Sequence, residues 1–162
     1  MTITELFNIL VDDIINKIQN SKGLARFAYR RAKFEGWLKV EIIDILVRQE
    51  INALPEIDRV DVSFDSVGIE LKTVNTNIFF DNVIHITRPI TKNTNSVIKD
   101  IKKLRSKNYQ DKFIIFVVFP IDHSNQYWQK QFQRISSELT EINQKQFNFN
   151  NNVPAVIYVG RV

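Results

Sequence analysis

The stretch that decides the fold is VDVSFDSVGIELKT, residues 60–73. Val60, Val62 and Phe64 alternate with Asp61, Ser63 and Asp65, and Ile69 and Leu71 alternate with Glu70 and Lys72. A period of two predicts half-buried strands, and Asp65-Ser66-Val67-Gly68 has the composition of a turn between them. With Ser66 and Val67 as the central turn residues, Phe64 faces Ile69, Ser63 faces Glu70, Val62 faces Leu71 and Asp61 faces Lys72. Directly opposed residues point to the same side of a sheet. One side therefore carries Asp61, Ser63, Glu70 and Lys72, and the other an apolar set of Val62, Phe64, Ile69 and Leu71. A slip of one residue would break both sets at once.

Two carboxylates and an ammonium on one face have a definite chemistry. Hard divalent cations such as Mg2+ take oxygen ligands, commonly one or two carboxylates completed by water and substrate phosphate. Asp61 and Glu70 fit that role, with the backbone carbonyl of Leu71 as a third ligand and Lys72 placed to orient water or to meet developing negative charge. Charges of both signs on neighbouring strands also describe an ordinary solvated face with weak ion pairs, so the flanking segments have to discriminate.

Upstream, residues 3–19 carry Ile3, Phe7, Leu10, Val11, Ile14, Ile15 and Ile18 at helical spacing, with Thr4 as a possible cap. A second helix is predicted from about 24 to 47, with Phe34, Leu38, Ile42, Ile45 and Leu46 as its core stripe and Trp37 extending it. Glu41 falls inside that arc and Glu35 at its margin; a carboxylate on a core-facing stripe needs a partner, and a metal, or a lysine at the sheet's active edge, would provide one. Downstream, Ile78-Phe79-Phe80 and Val83-Ile84 suggest a third short strand, and residues 87–95 a polar loop. A helix follows near 95–107, with Val97, Ile101 and Leu104 inward. The apolar run Phe113–Phe119 suits a central strand covered on both faces. The remaining expectations are a helix over 125–142, a loop containing Asn148, Asn150, Asn151 and Asn152, and a strand over 155–159.

Three stretches together resemble the PD-(D/E)XK nuclease superfamily. EGWLKVE, residues 35–41, resembles the helix that places a glutamate at its metal site. Asp61 through Glu70-Leu71-Lys72 resembles its catalytic hairpin. IKDIKKL, residues 98–104, followed by the buried strand, resembles the elements that complete its core. Val60 stands where the family's eponymous proline would be. The resemblance implies an α/β fold with a three-layer restriction-endonuclease-like core, a mixed β-sheet flanked by helices, spanning one domain over 1–162. It implies phosphodiester hydrolysis with Mg2+ (or Mn2+), Asp61, Glu70 and Lys72 being catalytic and Glu41 an auxiliary ligand. A DNA endonuclease of restriction, repair or mobile-element type is the leading expectation. A catalytically inactive nucleic-acid-binding or protein-binding subunit on the same fold is the alternative.

The chain-wide properties are compatible with this. There are 162 residues, 44% hydrophobic, with a net charge of +4 and no cysteine. Disulfides and thiolate chemistry are excluded, and a cytoplasmic protein without signal peptide or membrane span is expected. Nucleic acid, most plausibly DNA, would be met by Arg88, Lys92, Lys99, Lys102, Lys103 and Arg105. A homodimer would let two sites cut both strands. Residues His123 to Trp128 offer aromatic and amide groups to a base, or simply anchor a helix; His85 and His123 are isolated and are not read as metal ligands.

Overall fold

One mixed sheet carries the cores on both of its sides, and its central strand explains how. The computed structural model describes residues 1–162. The chain begins with three helices, α1 (Ile3–Gln19), α2 (Lys22–Arg30) and α3 (Glu35–Arg48). Two short strands, β1 (Leu54–Pro55) and β2 (Val62–Phe64), are separated by a 3-10 turn at Ile57–Arg59 and lead into β3 (Val67–Asn75). Then come α4 (Ile90–Arg105), β4 (Asp111–Phe119), α5 (Gln126–Ser136), β5 (Glu141–Asn148) and β6 (Pro154–Arg161). The strand order is β1-β2-β3-β4-β6-β5. Only β3 and β4 are parallel, joined by α4 as the crossover that parallel neighbours require.

The unbroken apolar run of β4 serves two cores at once. Phe113, Ile115, Val117 and Phe119 pack with α1, α2 and α3, while Ile114, Phe116 and Val118 pack with α4 and α5. The architecture is thus α/β in three layers, with the sheet between helices. No helix is long and apolar enough to cross a membrane.

The expected hairpin forms with a register two residues from the expected one. Phe64 pairs with Val67, Ser63 with Gly68 and Val62 with Ile69, so Asp65 and Ser66 make the turn. Asp65 takes the left-handed conformation (φ 45°), which Asp tolerates better than most residues. Since side chains alternate with a period of two, a two-residue shift leaves each residue on its expected face. Gly68 is required by close approach, since a Cβ there would lie 2.7 Å from Tyr109 Cδ2.

Elsewhere several expectations are corrected. The helix expected over 24–47 is two helices, broken where Arg31 adopts φ 54° and its N–H reaches Ala28 O. No glycine or proline marks the break. The Arg31 side chain makes it favourable: Nε donates to Ile84 O at 2.7 Å, Nη1 to Thr76 O at 2.6 Å and Nη2 to Ile78 O at 2.7 Å. Those bonds hold 76–84 as an irregular segment, so the expected third strand does not form. α4 starts at Ile90, inside the expected polar loop. The last helix stops at Ser136, and 141–148 pairs along β6 as an edge strand; its Asn/Gln-rich sequence has no clear period, and pairing decides its state. The asparagine run is the turn joining β5 to β6. Thr2, rather than Thr4, caps α1, in a capping box with Glu5.

Arg31→Gly should separate backbone from clamp. Glycine relaxes the left-handed residue by roughly 1 kcal/mol, but three carbonyls lose charged donors worth roughly 1.5–3 kcal/mol each. Urea unfolding is expected to show a net loss of about 3 kcal/mol or more, and an unchanged midpoint would contradict the clamp.

Candidate metal and catalytic site

β2 pairs with β3 only as far as Val62 and Ile69. Beyond that point the β2-side edge of β3 has no strand beside it, and backbone groups there need other partners. Asp61, the residue just before β2, turns its Oδ2 onto the Leu71 N–H at 2.8 Å. Glu35, at the first turn of α3, accepts from the Thr73 N–H at 3.0 Å. The Asn75 carbonyl accepts from Asn93 Nδ2 at 2.7 Å. Side chains thus continue the ladder along this edge at every second residue. A strand residue's N–H and C=O point to one edge, so the Leu71 carbonyl is directed to the side where Asp61 sits.

Glu70 and Lys72 project from β3 towards α4. The Glu70 side chain is only 5% exposed, and its Oε1 lies 2.8 Å from Lys103 Nζ, which also donates to Arg59 O at 2.7 Å. Continued one residue past Val62 and Ile69, the register sets Asp61 across from Glu70, and each carboxyl group acts on the ionisation of the other. Burial pushes Glu70 up to about 7; Lys103 opposes the shift and Asp61 adds to it. Burial also works against the Asp61 charge, but the hydrogen bonds from Lys39 and the Leu71 amide outweigh it and hold Asp61 below the usual carboxylate range. Lys39 Nζ sits 2.7 Å from Asp61 Oδ1 and also pairs with Glu56. Lys72 Nζ meets Asp100 Oδ2 at 2.6 Å, both side chains being 18% exposed. Burial disfavours the Lys72 charge, yet Asp100, with Glu35 and Asp61 behind it, keeps the ammonium firmly protonated.

The structure therefore brings Asp61, Glu70 and Lys72 to one place, with Asp61 beside Glu70 rather than opposite Lys72. It does not bring Glu41. Two residues along a helix turn the side chain by about 200°, so with Lys39 directed at Asp61, Glu41 faces away and pairs with Lys17 of α1 at 2.5 Å. The carboxylate that α3 does deliver is Glu35. Lys39 and Asp100 are the members that sequence reasoning missed. Lys39 lies one helical turn beyond Glu35, and Asp100 is the only acid in α4, which were the available signals.

Among the expected nucleic-acid contacts, Lys103 is engaged by Glu70, while Lys102 and Arg105 pair with Glu138. Arg88, Lys92 and Lys99 are exposed without a carboxylate partner. The His123–Trp128 segment anchors α5: Trp128 Nε1 donates to Tyr158 Oη at 2.7 Å, and His123 Nδ1 lies 2.6 Å from the same oxygen.

Asp61, Glu70 and the Leu71 carbonyl are hard oxygen donors, the set that Mg2+ or Mn2+ shares with water and phosphate. No third acidic, histidine or cysteine side chain joins them as a potential ligand. The donor set fits a cation held by two carboxylates, once the Lys39 and Lys103 ammonium groups yield their places. Protein-family models, curated proteins and solved structures were all compared with the chain, and none matches it.

Glu70 makes the stability depend on pH. An unfolded glutamate ionises near ~4.3, whereas folded Glu70 keeps its proton to about 7. Between those values the folded chain binds the extra proton, so stability falls as pH rises through this window. Asp61 acts only below it, where its depressed carboxyl is finally protonated. Without metal, Glu70→Gln is expected to flatten the fall in melting temperature between pH 5 and pH 8; a parallel fall in both proteins would contradict the assignment.

Proposed function

We propose that the protein is a Mg2+-dependent nuclease of restriction-endonuclease-like fold, acting on DNA. The observation that carries this reading is the gathering of Asp61, Glu70 and Lys72 on one face at the open edge of β3. The succession of α3, the hairpin, α4 and the buried parallel β4 supports it, as the same order of elements carries the family resemblance.

Asp61, Glu70 and the Leu71 carbonyl would hold the cation, which supplies Lewis-acid polarisation of the scissile phosphate and acidifies bound water. The chain's own groups have separable tasks. Lys72 donates from Nζ to a phosphoryl oxygen and meets the negative charge that grows there. Asp100 holds that ammonium in place and keeps it charged. Glu35 ties the start of α3 to Thr73 and fixes the distance between helix and strand. Lys39 holds Asp61 and Lys103 holds Glu70; both ammonium groups would give up these places to a cation, and the Lys103 side chain, 41% exposed, has solvent to move into.

A non-catalytic binding module is the second reading, favoured by the fact that Lys39 and Lys103 already neutralise both carboxylates. Two measurements decide. Plasmid and linear DNA incubated with Mg2+ or Mn2+ should be cut, with Asp61→Ala and Lys72→Ala each slowing cleavage by at least ~100-fold. Millimolar Mg2+ should raise the melting temperature of the wild type, as a ligand bound only by the folded state must, but not that of Asp61→Ala. An intact substrate together with an unmoved melting temperature would leave the binding module.

A further inference from the structure

The side chains that cap the open edge of β3 lead away from the carboxylates to a second charged feature. Asn75, five residues beyond Glu70 on the same strand, donates from Nδ2 to Arg31 O at 2.6 Å and is gripped by Asn93 of α4. Asn75 also forms part of the wall of a cleft of about 450 Å³, whose other lining residues are Arg30, Arg31, His85, Ile86, Thr87 and Arg88. None of these seven residues is acidic. Arg30, His85 and Arg88 are exposed and belong to no ion pair, although most of the molecule's basic side chains near the carboxylates do. The floor adds charge of its own, because the buried Arg31 guanidinium is satisfied by three neutral carbonyls and no carboxylate.

Uncompensated cations cost stability through mutual repulsion unless an anion joins them. Their walls are also held rigidly, since the Arg31 bonds to Thr76, Ile78 and Ile84 set the loop that carries His85 and Arg88. At ~3.3 Å per strand residue the cleft lies about 16 Å from Glu70. A duplex strand winds about its axis as well as rising ~3.4 Å per nucleotide, so that distance spans roughly three phosphates.

We infer that this cleft is a phosphate subsite for the nucleic-acid backbone, in which Arg30, Arg88 and His85 hold the strand about three nucleotides from the bond broken at Asp61 and Glu70. The inference rests on the nuclease reading. It places the main backbone grip on the α2 end and the 85–88 loop, and not on the lysine face of α4, where Lys102, Lys103 and Arg105 are already paired. Recognition is by charge, so it fixes register along the strand without reading base sequence.

The test measures binding of a labelled duplex in EDTA, which withholds cleavage, over a range of salt concentrations. Each phosphate contact contributes about 0.9 to the slope of log affinity against log salt. The double variant Arg30→Ala/Arg88→Ala should bind at least tenfold more weakly, with the slope reduced by about two. Arg30→Lys/Arg88→Lys should restore the slope, separating charge from any packing effect, and Lys130→Ala on α5 should change neither quantity. Wild-type affinity and slope in the double alanine variant, with wild-type protein still cutting DNA in Mg2+, would overturn the subsite and leave the nuclease reading standing. Wild-type protein that neither binds nor cuts DNA, even if it takes up inorganic phosphate, would overturn both.

Discussion

The late start of β2, at Val62, is the constraint on which the rest of the site depends. A strand flanked on one side by β4 and on the other by nothing would expose a row of backbone donors and acceptors, and buried groups of that kind must find partners. Here Asp61, Glu35 and Asn93 supply them. The same act that completes the hydrogen bonding of β3 draws charged side chains from the hairpin, α3 and α4 to one line. Had β2 begun a few residues earlier, Leu71 and Thr73 would be paired with backbone and no carboxylate would be needed there. The candidate site is what remains of a sheet edge when side chains replace a strand.

That arrangement is held in place by two cores that it does not itself belong to. β4 packs apolar residues to both sides, which makes the β3–β4 pair a rigid platform, and α3 and α4 approach it from opposite layers. Glu35 and Lys39 come from one layer, Asp100 and Lys103 from the other. Asp61, Glu70 and Asp100 therefore each find a base across a layer boundary, and Glu35 finds the Thr73 amide. The buried Glu70 is the strained member: its charged form is disfavoured, and only Lys103, a long side chain with much of its length in solvent, relieves it.

Arg31 plays the corresponding part on the second feature. Its left-handed backbone ends α2, turns the chain into α3 and sends its guanidinium under the 76–84 segment. One residue thus sets the start of α3, and with it Glu35, and also the loop bearing His85 and Arg88. The carboxylate site and the cationic cleft are linked through a common brace.

The sequence by itself determined the α/β class, the buried central strand, the hairpin and the shared face of Asp61, Glu70 and Lys72. All of these follow from local alternation, and the face assignment survived a two-residue error in register because strands have a period of two. Other features came only from tertiary structure. The break at Arg31 carries no glycine or proline, since the stabilising partners are carbonyls some 45 to 53 residues away. β5 is a strand because β6 lies beside it, not because its polar residues alternate. The choice of Glu35 over Glu41 turned on which side of α3 meets the sheet and which meets α1, and a helical wheel describes relative angles without saying which neighbour lies at each. Charges find their partners across the fold, so pairing of this kind becomes legible only when the layers are assembled.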